Sequence, residues 1–409
     1  MEAFYSYLNS LVNKNKLQYS RYSNIKWINP YSAFEYQNQR NKFLENIGHF
    51  VLFKGTKPYL NHISEGCNLC GQGLWSCLFI TGKCNANCFY CPTAQDKDDV
   101  PVSQGLSFPT PESYSEYVNH FGFKGVSFSG GEPLLFSERV LDYLQELRKS
   151  CAPDIYAWMY TNGILSNQET FAKLAELNLN EIRFDIGATG YTLENVSKAK
   201  GIIKNVSIEI PAVPEEKEVI KTLLPNMIKA GVTNLNLHQL RLTEYNAPKL
   251  LKRDYTFIPA EKPIVLESEL AALEIIDYAK SQKLDIGINY CSFFFKNRFQ
   301  AAGFKKQVSG VFSANENAIT QKGYIREQNQ REINYYSVKL DDIENSSPNS
   351  SELALIHKAY AFNKTLIKKI STNPEITCLI QTEPEVIPEN DEIFDIWNLE
   401  YIEYGLRDY

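Results

Sequence analysis

The stretch Gly82-Lys-Cys-Asn-Ala-Asn-Cys-Phe-Tyr-Cys-Pro92 sets Cys84, Cys88 and Cys91 at a C-x3-C-x2-C spacing, straight after the apolar, strand-like run Ser76–Thr81. Three thiolates crowded on one loop can hold three irons of a cubane [4Fe–4S] cluster, leaving the fourth iron open to another ligand. Zinc sites usually present four ligands as two separated pairs, so a lone tight triplet fits zinc poorly. A strand that runs directly into such a loop fixes where the chemistry sits relative to the sheet.

The same strand-then-loop pattern recurs downstream. Further apolar strand candidates are Gly125–Ser129, Ile155–Tyr160, Glu181–Ile186, Val206–Pro211, Asn234–His238 and Ile286–Tyr290. Helical patterns separate them: Ser137–Ser150, with Val140, Leu141, Leu144 and Leu147 on one face; Gln168–Leu177, with Asn167 as N-cap; Pro214–Ala230; and Leu266–Gln282. Repeated strand–helix units predict a parallel sheet with right-handed crossovers. Six or seven of them, with motifs at strand C-termini, predict an α/β fold: a partial or nearly closed (β/α)6-7 TIM-type barrel. The division expected is a helical N-terminal extension over 1–65, the barrel with its cysteine-rich entry loop over 66–300, and a small C-terminal α/β appendage over 301–409. Within that appendage the polar Ser313–Ser351 reads as a loop, Glu352–Ile370 as a helix, and Ile376–Ile380 and Trp397–Tyr404 as short strands.

Ser129-Gly130-Gly131-Glu132-Pro133 and Tyr160-Thr-Asn-Gly163 follow two of these strands. Together with the cysteine triplet, this ordered set resembles the radical S-adenosylmethionine enzymes over roughly residues 76 to 290. The resemblance implies that the cofactor's amino and carboxylate groups chelate the open iron, and that reductive cleavage yields methionine and a 5′-deoxyadenosyl radical. Gly130 and Gly131 would let a backbone approach the methionine ammonium, with Glu132 as a carboxylate acceptor for it. Tyr90 is where the family places an aromatic against the adenine. Asp185 and Glu209, near the ends of the next two strands, could accept from ribose hydroxyls or the amino group, or could simply face solvent. Asn162 joins the cofactor-binding candidates, although beside Gly163 it also reads as a turn residue. His238 could hydrogen-bond substrate in the barrel mouth or be structural, and Arg241 and Glu244 beyond it read as substrate-facing charges.

Four more cysteines flank the barrel: the pair Cys67-Asn-Leu-Cys70, Cys77, and Cys291 in Tyr290-Cys-Ser292. Gly66-Cys-x2-Cys70, Leu78-Phe-Ile-Thr-Gly82 and Tyr290-Cys-Ser-x3-Lys296-Asn together resemble a narrower archaeal and bacterial group related to pyruvate formate-lyase activating enzyme, in which an apolar residue usually occupies the Cys77 position. The residues between Cys70 and Cys77 could reach ~20 Å if extended, about the height of a strand, so the pair could fold back to Cys291. The preferred reading is an auxiliary iron–sulfur cluster on Cys67, Cys70 and Cys291. A zinc on these residues plus Cys77, and inert buried thiols, remain the alternatives. Cys77, low on its own strand, is the hardest to recruit; the isolated Cys151 and Cys378 read as structural.

Composition fits a globular enzyme, with 44% hydrophobic and 22% charged residues excluding wholesale disorder. A net charge of −6 gives no global case for nucleic-acid binding. No apolar run is long enough for a membrane span, the N-terminus lacks a signal-peptide pattern, and an odd cysteine count at metal-like spacings suits a reducing compartment, so the expected location is cytoplasmic. The expected partners are an external electron donor such as flavodoxin or ferredoxin and a small-molecule substrate in preference to a peptide. A second cluster would suit oxidation or sulfur insertion; a peptide-modifying enzyme or activase is the alternative.

Overall fold

The computed structural model describes residues 12–48, 51–260 and 262–312, with Asn9, Ile319, Gly323 and the backbone strands Ile325–Asn329, Glu332–Leu340 and Cys378–Gln381. Its centre is a mixed sheet. Strand β1 (Lys57–Leu60) is followed by seven parallel strands: β2 (Trp75–Thr81), β3 (Gly125–Gly130), β4 (Tyr156–Thr161), β5 (Glu181–Phe184), β6 (Asn205–Pro211), β7 (Val232–His238) and β8 (Gly287–Cys291). They lie in the order β1-β8-β7-β6-β5-β4-β3-β2, and the sheet does not close on itself. All seven parallel strands match the sequence expectation to within two residues at either end.

Each strand alternates between two environments. Leu78 and Ile80, Phe128, Met159, Ile182, Ile208, Leu235 and Leu237, and Ile288 are wholly buried beneath the surrounding helices. Cys77, Ser129, Tyr160, Arg183, Glu209, His238 and Cys291 instead line an inner cavity, because successive side chains point to opposite faces of a strand. The helices form as read: Ser137–Ser150 buries Val140, Leu141, Leu144 and Leu147, and Asn167 accepts from Thr170 N as the N-cap of Gln168–Glu176. The next helix starts with a 3-10 turn, Pro214–Glu216, ahead of Lys217–Lys229.

Two regions differ from expectation. The N-terminal extension is not simply helical. Beyond helix α1 (Pro30–Ile47), it sends β1 into the main sheet antiparallel to β8, and pairs Lys26–Trp27 with Thr256–Ile258. Its Tyr19 and Tyr22 share an apolar cluster with Phe89 and Tyr90 of the cysteine loop. In the polar stretch read as a loop, Ile325–Asn329 and Glu332–Leu340 pair antiparallel, and Cys378–Gln381 adds a third strand close to the one expected at Ile376–Ile380. The expected elements Glu352–Ile370 and Trp397–Tyr404 lie outside the described residues. No helix of the described residues is long and apolar enough to cross a membrane.

The segment carrying Cys67 and Cys70 is a helix, α2 (Glu65–Gln72), rather than an extended loop. Ser64 caps it by accepting from Cys67 N, and Gly73, at φ 75°, ends it in the left-handed conformation. The helix sits against the N-terminal ends of the strands. Leu69 packs on Gly125, and Gly66 faces Arg183, Glu181 and Trp158 so closely that a Cβ would overlap the guanidinium. Gly66→Ala should therefore destabilise the protein by about 1–3 kcal/mol, as overpacking does. Gly310→Ala, on an exposed helical position where a Cβ meets nothing, should change stability by less than about 1 kcal/mol or raise it. Thermal unfolding of the two variants in parallel checks this.

Candidate active site

Three loop ends meet above the sheet. After β3, Gly131 N donates to Thr81 O at 2.7 Å and Glu132 N to Lys83 O at 2.8 Å, strapping the Gly130-Gly131-Glu132-Pro133 loop to the root of the cysteine loop. Gly130 has φ 114°, and a Cβ on Gly131 would overlap the Lys83 carbonyl, so the approach requires glycine at both positions. Glu132 has no exposed surface. Its carboxylate accepts from Leu134 N at 2.9 Å, Thr161 Oγ1 at 2.7 Å and Asn162 N at 2.6 Å. Burial raises its pKa against the pull of those donors. Glu132, the expected acceptor for an ammonium group, also braces β3 against β4 through these bonds. Asn162 extends the brace: its Nδ2 donates to Asn85 Oδ1 at 2.6 Å and lies 3.6 Å from Cys84 Sγ, while its Oδ1 accepts from Ile164 N. It is both turn residue and tether.

Cys84, Cys88 and Cys91 are part-buried and line one cavity of about 880 Å³. Burial pushes the Cys88 thiol up to about 11 and raises that of Cys91. Tyr90, between them, donates its hydroxyl to both Asp185 oxygens at 2.9 Å. Asp185 also accepts from Gly187 N, and burial pushes its pKa up to about 6. The two residues assigned separately to adenine and ribose are thus paired with each other, which fixes the cysteine loop to the end of β5.

Deeper in the cavity runs a charged ladder. Arg183 donates to Glu181 Oε1 at 2.9 Å, Glu209 Oε2 at 2.7 Å and Ser64 Oγ at 3.0 Å. Its guanidinium lies 5.0 Å above the Trp158 ring, which stacks on Trp75. Glu209 also accepts from Asn236 Nδ2 at 3.0 Å and His238 Nε2 at 2.6 Å. Burial alone would raise its pKa, but the Arg183 guanidinium and the hydrogen bonds from His238 and Asn236 outweigh that and hold it well below the carboxylate range. Lys296 Nζ lies 2.8 Å from His238 Nδ1. Burial and that neighbouring ammonium push His238 down to about 4, leaving a neutral ring that donates from Nε2 and accepts at Nδ1. Glu209 is thus engaged by three protein donors, and both nitrogens of His238 have protein partners.

The remaining cysteines enter the same cavity. Cys67, Cys70, Cys77 and Cys291 line it, making seven with the loop triplet. Cys77 is not sequestered: it faces the cavity beside Ser127 and Ser129, and burial pushes its thiol up to about 12. Cys67 Sγ lies 4.0 Å from Asn289 Nδ2, and Cys291 Sγ lies 3.5 Å from Asn289 Oδ1, so one amide separates them. Lys57, wholly buried, donates to Cys291 Sγ at 2.6 Å and stands 4.3 Å over the Phe295 ring. Sequence reading passed over Lys57, Lys296 and the ladder role of Arg183. A lysine in the four-residue strand Lys-Pro-Tyr-Leu reads as an exposed edge residue, and only pairing with β8 turns it inward. Cys151 lies apart, donating to Ser115 O.

The donor set suits an iron–sulfur cluster with an organic ligand. Three thiols on one loop face a cavity bounded by Gly130 and Gly131, and Cys84 Sγ already accepts from Ala86 N at 3.4 Å. Among the described residues no three His, Cys, Asp or Glu side chains gather tightly enough for a single metal ion. A cubane, whose irons occupy separate corners, spreads its thiolates more widely.

Comparisons with known proteins agree with this chemistry. Residues 78–206 match the Radical SAM superfamily. The chain is 33% identical over 252 residues to a Methanocaldococcus jannaschii protein whose name assigns it, provisionally, to glycyl-radical enzyme activation; the match covers 58% of this chain and 65% of that one. It is 28% identical over 127 residues to a GTP 3′,8-cyclase of Sulfurimonas denitrificans, covering 31% and 39%. The chain thus spans less than two thirds of either relative. Among solved structures it is similar to Streptococcus suis SuiB bound to S-adenosylmethionine, at 15% identity and a TM-score of 0.40 over 56% of this chain and 53% of that one. Over residues 78–206 the chain is thus similar to the radical S-adenosylmethionine superfamily, whose enzymes use a [4Fe–4S] cluster and S-adenosylmethionine.

Proposed function

We propose that Cys84, Cys88 and Cys91 hold the catalytic [4Fe–4S] cluster, that Gly130 and Gly131 offer their backbone to S-adenosylmethionine, and that Cys67, Cys70 and Cys291 hold an auxiliary iron–sulfur cluster in the same cavity. The observation that carries this reading is the convergence of seven cysteines on one space. When bound, cluster and cofactor supply a 5′-deoxyadenosyl radical that takes a hydrogen atom from substrate, using one electron from an external donor such as flavodoxin or ferredoxin. The chain's own residues do the rest. Glu132 and Asn162 hold the three loops in register, and Tyr90 with Asp185 fixes the cysteine loop over β5. Lys57 and Arg183 supply positive charge beside Cys291 and Cys67, offsetting the cost of burying thiolates.

An auxiliary cluster suits oxidation, in which the substrate radical releases one electron to it and one proton to the medium, or sulfur insertion, with a small molecule as the favoured substrate. The reading as a peptide- or protein-modifying enzyme or activase draws on the name of the M. jannaschii relative. A protein-borne radical seen by EPR after incubation with a partner protein would favour it.

Iron and sulfide content of anaerobically reconstituted protein tests the metal assignments. About eight irons in the wild type should fall to about four in Cys84→Ala/Cys88→Ala/Cys91→Ala and in Cys67→Ala/Cys70→Ala/Cys291→Ala, as two [4Fe–4S] clusters require. Only the first variant should lose 5′-deoxyadenosine formation altogether; four irons in the wild type, all lost with the loop triplet, would remove the second cluster.

Asn162→Ala should keep the fold but slow 5′-deoxyadenosine formation by about tenfold or more, because it cuts the tether to Asn85 beside Cys84. An unchanged single-turnover rate would reduce Asn162 to a turn residue.

A further inference from the structure

Above the ladder, one patch of the cavity wall gathers two cations and an amide donor that no carboxylate meets among the described residues. Lys296 Nζ stands 4.7 Å and the Arg241 guanidinium 5.2 Å from the centroid of the same Phe293 ring. Among the described residues neither cation forms an ion pair with a carboxylate, and burial lowers the pKa of both. Gln239, only 3% exposed, stands two residues before Arg241, just past the end of β7. Its Oε1 accepts from Phe293 N, which fixes the amide orientation, while its Nε2 has no partner. All four residues line the cavity. Lys296 meets the His238 ring nitrogen but no carboxylate, Arg241 is half-buried without an acidic partner among the described residues, and the buried Gln239 amide N–H is unpaired, so an anionic group would complete the patch.

We propose that Lys296, Arg241 and Gln239 form the binding site for an oxyanion of the substrate, a carboxylate or a phosphate, with Phe293 as the apolar floor beneath it. This deepens the functional reading above and rests on it for the identity of the cavity as the reaction chamber. A guanidinium matches the planar or tetrahedral oxygens with paired N–H groups, the ammonium adds a point charge, and the amide sets direction. The patch sits at the C-terminal ends of β7 and β8, on the Cys291 side of the cavity, so a substrate anchored there extends toward the cysteine loop.

The experiment is calorimetric titration of the reconstituted full chain, without oxygen, with inorganic phosphate in one arm and succinate in the other. At least one should bind saturably below about 10 mM, and the stronger arm identifies the anion. Lys296→Met and Arg241→Met should each weaken that binding about tenfold or more, as loss of a charged hydrogen bond does. Lys296→Arg should retain it. Gln239→Glu, which keeps the bond to Phe293 N and adds a negative charge, should also weaken it, giving a variant that does not depend on removing a buried cation. Lys149→Met, on an exposed lysine far along the chain, should bind like the wild type. Three results would overturn the assignment: no saturable binding in either arm, equal binding by the Lys296, Arg241 and Gln239 variants, or displacement of the probe by S-adenosylmethionine, which would give these donors to the cofactor. Formation of 5′-deoxyadenosine by the wild type without any probe reports the cofactor reading separately, so each can fail alone.

Discussion

A guanidinium buried at the centre of the barrel sets most of the interior. Arg183 is 3% exposed, and an unpaired charge there would cost several kcal/mol. Its compensation comes from four directions: Glu181 on its own strand, Glu209 on β6, the Ser64 cap of α2, and the Trp158 ring beneath it. Each partner then constrains something else. Ser64 and Gly66 seat α2 so that Cys67 and Cys70 point inward. Glu209, held by Arg183, holds His238, and His238 in turn holds Lys296. One charge thereby fixes the depth of α2 and the position of a lysine beyond the end of β8.

The loop architecture above it works through backbone contacts instead. Gly131 and Glu132 bond to the main chain at Thr81 and Lys83, and Glu132 carries the link to Thr161 and Asn162. Because the donors are mostly backbone, the geometry of the cysteine loop is set by the sheet rather than by flexible side chains. The tether of Tyr90 to Asp185 completes a ring of attachments from β2 through β3 and β4 to β5. A loop that must hold a redox centre at a defined distance from a reactive carbon benefits from that rigidity.

Strand–helix alternation and the cysteine spacing were legible in the sequence because both are local signals of period and separation. The roles of individual polar residues were not. Asn234-Leu-Asn-Leu-His238 shows its alternation plainly, yet whether His238 meets substrate or Glu209 depends on the register that sets Glu209 opposite Asn236 and Pro211 opposite His238. Glu132 beside two glycines suggested a ligand, and only the tertiary approach of Thr161 and Asn162 shows where its oxygens point. Lys57 gave no signal, since its burial follows from pairing with a strand more than 200 residues away. The paired strands within Ser313–Ser351 were hidden by a polar composition that normally marks loops.

Charge accounting along the cavity orders its parts. The lower end is anionic, with Glu181 and Glu209 against the one guanidinium of Arg183. The middle is not. Lys57 meets only thiol sulfur and an aromatic ring, and is matched if Cys67, Cys70 and Cys291 carry negative charge as metal ligands. The upper end holds Lys296, linked through His238 to Glu209, and Arg241, which forms no ion pair with a carboxylate among the described residues. A single excess cation would read as a local accident of packing. Lys57 beside the cysteines and Arg241 beside an unpaired amide are the two cations that the proposed anionic metal centre and the proposed substrate anion would complete.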